Sequence, residues 1–134
     1  MIELRGKYKD YDYVVTFNTD FAYRCGYVGV CKGNKYYEKD ADSINIECHG
    51  GITFSDFNNL FGPDLYWLGF DCCHNDGYDL NTLKKYCGQK AVYNFIKNPA
   101  YFYEYHKDLY AYTLDDCIKE CEHIIDQLWS TERK

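Results

Sequence analysis

The sequence predicts an α+β fold: a small, mostly antiparallel mixed sheet of about four to six strands with a C-terminal amphipathic helix packed on one face. Three observations carry that expectation. Strand-like segments crowd into the first half of the chain, and the apolar period changes from two to that of a helix after Thr113. No internal repeat, low-complexity tract or Pro/Gly/Ser-rich linker divides the sequence. At 134 residues the chain suits one core, so a single α+β domain over 1–134 is expected.

The first strand expected is Tyr11 to Phe17, β-branched and aromatic, with Tyr11, Tyr13, Val15 and Phe17 on one face. Tyr23 to Val30 follows. Its Gly26 and Gly29 suggest a bulge or a close approach by a backbone or a ligand. Ile44, Ile46 and Cys48 alternate with polar Asn45 and Glu47, and Gly50-Gly51 then interrupts before Ile52-Thr53-Phe54. Tyr66 to Cys72 reads as the most buried strand.

In the second half, Asn81 to Tyr86 suits a short helix, and Ala91 to Lys97 fits either a strand or a helical turn. Tyr101 to Tyr112 reads as extended. Thr113 is a good N-cap with Asp116 three residues on, a variant of the capping box whose acid also complements the helix dipole. Leu114, Cys117, Ile118, Cys121, Ile124, Ile125 and Leu128 then recur at spacings of three and four, which makes one apolar stripe ending near Trp129. Cys117 and Cys121 fall on that stripe and are read as packing residues.

Composition narrows the function. The chain carries 16 Tyr, 8 Phe and 2 Trp, rings that suit half-buried sheet surfaces and ligand contacts alike. Its net charge of −6 and scattered Lys and Arg argue against general nucleic-acid binding, which needs a basic stripe to displace counterions. The segment Met1 to Gly6 lacks the apolar core of a secretory signal, and no stretch approaches a membrane span. A cytoplasmic protein without membrane contact is therefore expected. The eight cysteines are then read as thiols, with a disulfide framework as the alternative.

Two loops concentrate polar chemistry. The first runs through His49, Gly50, Gly51, Thr53 and Ser55, where paired glycines free the backbone to turn and leave N–H groups accessible to an anion. The second follows Trp67 through Asp71, Cys72, Cys73 and His74, delivering titratable groups to one end of the sheet. An ordinary reading competes: Gly-Gly as a simple turn, Asp71 as a turn cap, Asn75-Asp76-Gly77 as the turn itself and His74 on the surface. Arg24, between Tyr23 and Tyr27, could clamp a phosphate beside aromatic rings, or stand as a surface cation on a strand.

The same residues admit other chemistries. Cys48, His49, Cys72, Cys73 and His74 are ligand types that zinc favours, but no Cys-x-x-Cys knuckle occurs and neighbours on a strand point to opposite faces. His49, Asp71 and His74 could hold a catalytic metal, and Cys72 or Cys73 could be a nucleophile activated by His49 or His74. The reading preferred here has no catalytic residue, metal or other cofactor. Its ligand-binding set is Arg24, Tyr27, His49, Gly50, Gly51, Thr53, Ser55, Trp67, Asp71 and His74.

The segments Tyr23 to Val30, Cys48-His49-Gly50-Gly51-Ile52-Thr53-Phe54-Ser55 and Tyr66 to His74 together resemble a family of small proteins encoded by bacteriophages and prophages. Thr113 to Asp115 and Glu120 to Leu128 are similar to that family's C-terminal helix, and the resemblance covers the chain except roughly 79–107. Family members usually place one cysteine and a small residue where this chain has Cys72-Cys73, which argues against Cys73 as an essential ligand. The resemblance implies an anti-defence role in an infected bacterial host, by sequestering a nucleotide-derived immune signal without cleaving it. A homo-oligomer would suit such a role. The alternatives are a metal-dependent hydrolase of a nucleotide-like substrate and a protein-binding inhibitor of a host defence enzyme.

Overall fold

A computed structural model describes residues 1–72, 78–97 and 111–132. Five strands, β1 (Ile2–Tyr8), β2 (Tyr11–Asn18), β3 (Tyr23–Val30), β4 (Phe54–Asn58) and β5 (Gly62–Asp71), form one antiparallel sheet in the order β1-β2-β3-β5-β4. Three helices follow: α1 (Leu80–Cys87), α2 (Gln89–Lys97) and α3 (Leu114–Glu132). The fold is α+β. No helix among the described residues is long and apolar enough to cross a membrane.

Alternation sets the core. Tyr13, Val15 and Phe17 of β2 stand opposite Val28, Gly26 and Arg24 of β3, and Gly26 and Val28 stand opposite Phe70 and Leu68 of β5. α3 lies across this face with Cys117, Cys121, Ile124, Ile125 and Leu128 buried against it. Its start is capped reciprocally: the Thr113 N–H donates to Asp116 Oδ2 at 3.0 Å and the Asp116 N–H to Thr113 Oγ1 at 3.1 Å. α1 and α2 cover the far end of the same face, where Phe17, Ala22, Leu83, Val92 and Phe95 make a second, smaller cluster.

Several expectations need correction. β1 was not anticipated, although Ile2, Leu4 and Tyr8 alternate with charged residues before the two-residue Lys9-Asp10 turn, whose φ values of 48° and 67° match the strand-joining type. β4 was not anticipated either, and begins at Phe54, the last residue of the Ile52-Thr53-Phe54 segment that follows the two glycines. Ile44 and Ile46 are buried as alternation requires, yet 44–48 lies in no sheet. It runs along α3 instead, where Gln127 accepts from the Glu47 N–H at 2.8 Å and donates to its carbonyl at 2.7 Å. Of the two readings open at Ala91 to Lys97 the helical one holds, within α2, while most of the extended segment expected at 101–112 lies outside the described residues.

The two glycines of β3 mark close approach, not a bulge, since β3 pairs in continuous register on both sides. A Cβ on Gly26 would stand 2.4 Å from the Phe70 ring and 2.9 Å from Cys121 Sγ, so the glycine lets α3 settle onto the sheet. Gly26→Ala is expected to cost about 1–3 kcal/mol as an overpacked core site. Urea denaturation measures it, and a midpoint equal to the parent's would show that Phe70 and Cys121 can give way.

Candidate functional site

The end of β5 and the loop before β4 meet, as the strand order requires once β4 pairs with β5. The 44–48 segment lies along α3 and delivers His49, whose N–H donates to Glu120 Oε1 at 2.7 Å. The chain then reverses: the Gly51 N–H donates to the Cys48 carbonyl at 3.0 Å, and Gly50 and Gly51 take φ values of 71° and 79°. That left-handed region costs about 1–2 kcal/mol for a residue with a side chain, which is why glycines occupy it. A Cβ on Gly50 would stand 3.6 Å from the Asp71 carbonyl, so the loop rests on the last residue of β5. Thr53 closes the arrangement. Its N–H donates to the Gly69 carbonyl at 2.9 Å and its hydroxyl to Asp71 Oδ2 at 3.2 Å.

The His49 ring stacks on Tyr112, centroids 4.2 Å apart and planes 30° apart. Tyr112 is held in turn: its carbonyl accepts from Arg24 Nη1 at 2.9 Å. His49, Gly50, Gly51, Thr53 and Asp71 therefore form one neighbourhood, with Tyr112 and Glu120 as members that sequence reasoning missed. Neither could have been found locally, since Glu120 is 71 residues from His49. His74, expected beside His49 and Asp71, lies outside the described residues, as does Cys73.

The remaining expected members divide. Tyr27, half-buried, shares a sheet face with Asp71 and packs edge-on against Phe54 at 5.4 Å. Ser55 lies on β4 opposite Leu68 and so points to the other face. Trp67 shares the Asp71 face but stands four residues earlier, about 13 Å along a strand. It is buried there against Phe61, donating to the Gly62 carbonyl at 3.0 Å, and is no wall of the His49 neighbourhood.

Arg24 is neither a phosphate clamp nor a surface cation. It is 3% exposed. Nε and Nη2 fork onto Glu3 at 2.7 and 3.0 Å, Nη1 bonds Asp79 at 2.5 Å and the Tyr112 carbonyl, and Nη2 also bonds Thr82 Oγ1 at 3.0 Å. All five guanidinium N–H groups are thus engaged, leaving none for a ligand. Burial opposes ionisation of Glu3, but bonds from Arg24 and Tyr86 outweigh it and hold the carboxyl below its ordinary range. Asp79 is likewise held low, against burial, by Arg24 and Thr82.

The same arrangement joins support to site. The Arg24 carbonyl accepts from Cys72 N–H at 3.0 Å and the Ala22 carbonyl from Asp79 N–H at 2.8 Å, so β3 and the residue just before it hold Cys72 and Asp79.

The thiols fit packing better than catalysis. Burial, with the charge of Glu120, pushes the Cys48 thiol up to about 12, far from a reactive thiolate. Cys72 is buried with its sulfur 3.8 Å from Cys117 Sγ. Among the described residues no three His, Cys, Asp or Glu side chains are grouped to hold a metal ion.

No family model matches the chain, and neither the curated proteins nor the solved structures include a significant match.

Proposed function

We propose that the protein is a phage anti-defence sponge, binding a nucleotide-derived immune signal at the His49–Asp71 neighbourhood and holding it uncleaved. The observation that carries the reading is the His49 ring stacked on Tyr112, in a loop whose next residue, Gly50, rests on the Asp71 carbonyl. A stack of two rings offers a face to which a base can add, a contact tolerant of base identity. Asp71 can accept from a base amine or a ribose hydroxyl. The left-handed Gly50-Gly51 backbone suits close approach of a phosphate. The resemblance of the surrounding motifs to small phage proteins supports the biological setting.

The test is to incubate the protein with nucleotide signals from activated bacterial defence, with and without a chelator, then denature it by heat and analyse the supernatant. A sponge removes the signal and returns it intact. Products in the supernatant would instead mark a hydrolase, metal-dependent if the chelator stops it. A signal untouched throughout would mark a protein-directed inhibitor and reject the proposal. His49→Ala is expected to weaken retention about tenfold, the scale of one stacking contact of about 1–3 kcal/mol. Asp71→Asn should do likewise, and both variants should melt cooperatively because neither side chain is in the core.

A further inference from the structure

Two thiols from distant parts of the chain meet where the sheet joins its covering helix. Cys72 follows the last residue of β5, and Cys117 lies in the opening turn of α3. Their sulfurs are 3.8 Å apart, in van der Waals contact, and both are free thiols in this structure. Backbone bonds hold each in place. The Cys72 N–H donates to the Arg24 carbonyl at 3.0 Å, and the Cys117 N–H to the Thr113 carbonyl at 3.1 Å. The sulfurs therefore stay neighbours while the domain is folded. A disulfide needs them about 2 Å apart, and rotation of the two side chains is the motion that closes the gap.

The neighbouring thiol has a different task. Cys121, one turn further along α3, fits over Gly26, where a Cβ would stand 2.9 Å from its sulfur. Cys72 and Cys117 instead face each other across the joint, with 45 residues of chain between them. A bond there would close a loop that contains both α1 and α2.

We infer that Cys72 and Cys117 are a redox-switchable pair, joined to a disulfide by a small peroxide. The pair is 2% and 0% exposed, so a bulky disulfide oxidant cannot reach it, whereas hydrogen peroxide is little larger than water. Cys72, past the strand end, keeps the little exposure there is and reacts first. Its sulfur attacks one peroxide oxygen: the S–O bond forms, the O–O bond breaks, and the leaving hydroxide takes the thiol proton as water. The Cys117 sulfur then attacks Cys72. The S–S bond forms, the S–O bond breaks, and the hydroxyl leaves with the Cys117 proton as a second water. The two sulfurs have given two electrons, and the peroxide has become two waters. The product staples the end of β5 to α3. It forms whatever the His49 neighbourhood binds, so its test is separate from that of the proposed function.

The full chain, folded and reduced, is treated with hydrogen peroxide, blocked with iodoacetamide, denatured and mapped by mass spectrometry. The expected product is lighter than the parent by two hydrogens, with Cys72 joined to Cys117. Trypsin cuts at Lys119 and so separates Cys117 from Cys121, and fragmentation of the linked peptide identifies the partner. The oxidised protein should melt about 5–15 °C higher, because the closed loop restricts the unfolded chain, and dithiothreitol should restore the parent melt. In Cys117→Ala the same treatment should leave Cys72 as a sulfenic acid that dimedone traps. Recovery of both thiols unlinked, a link between Cys72 and Cys73 or between Cys117 and Cys121, or a melt unchanged by oxidation would each overturn the inference. The mapping of the parent chain decides the matter even should Cys117→Ala fold poorly.

Discussion

Ending the chain before Thr113 is expected to abolish cooperative folding. α3 contributes Cys117, Cys121, Ile124, Ile125 and Leu128, none more than 2% exposed, to the cluster that also holds Val15, Val28, Leu68 and Phe70. Each large side chain returned to water forfeits about 1.5–3 kcal/mol, and the sheet face it covered is exposed as well. A small domain has only about 5–15 kcal/mol in total. The truncated chain should therefore show no sharp thermal transition and should bind a hydrophobic dye. A cooperative melt with unchanged near-UV circular dichroism would mean that the sheet carries its own core.

Replacing Arg24 by Met should cost about 3–5 kcal/mol, the loss characteristic of breaking a buried ion pair from one side. Met keeps an apolar stem of similar length, so the effect isolates the charge. Glu3 and Asp79, with side chains 4% and 18% exposed, would lose their cation. The pH dependence gives the sharper test. Both carboxyls are held low in the folded protein, so their contribution is present above their ordinary values of 4.5 and 3.8 and is lost as pH falls below them. In Arg24→Met the same buried carboxyls have raised values, and protonation relieves the variant while it weakens the parent. The stability gap measured in urea should narrow as the pH is lowered through that range. A gap that stays constant would assign the loss to packing instead of charge.

What the sequence disclosed follows from which forces are local. β2, β3 and α3 were legible because burial on one face imposes a period, and the Thr113–Asp116 cap lies within four residues. Period alone misled at 44–48, where alternation records a buried side and says nothing of a hydrogen-bonded neighbour. β4 was hidden because Phe54-Ser55-Asp56-Phe57-Asn58 is a polar edge strand with little apolar signal. His49 and Asp71 could be paired from strand ends, whereas the meaning of Arg24 could not be read at all. Its partners Glu3, Asp79 and Tyr112 stand 21, 55 and 88 residues away, and a buried cation looks the same in sequence as an exposed one.

The division of one sheet face between two apolar clusters has a consequence for how the molecule fluctuates. Phe17, Ala22, Leu83, Val92 and Phe95 share no member with the cluster beneath α3, so α1 and α2 can detach while the larger core stays closed. Units of this kind open at a free energy below that of global unfolding. Arg24 straddles the line of separation: Asp79 and Thr82 would leave with α1, while Glu3 and the Tyr112 carbonyl would remain. Opening therefore strands a guanidinium with half its partners, an electrostatic latch that makes detachment rarer than the small apolar cluster alone would.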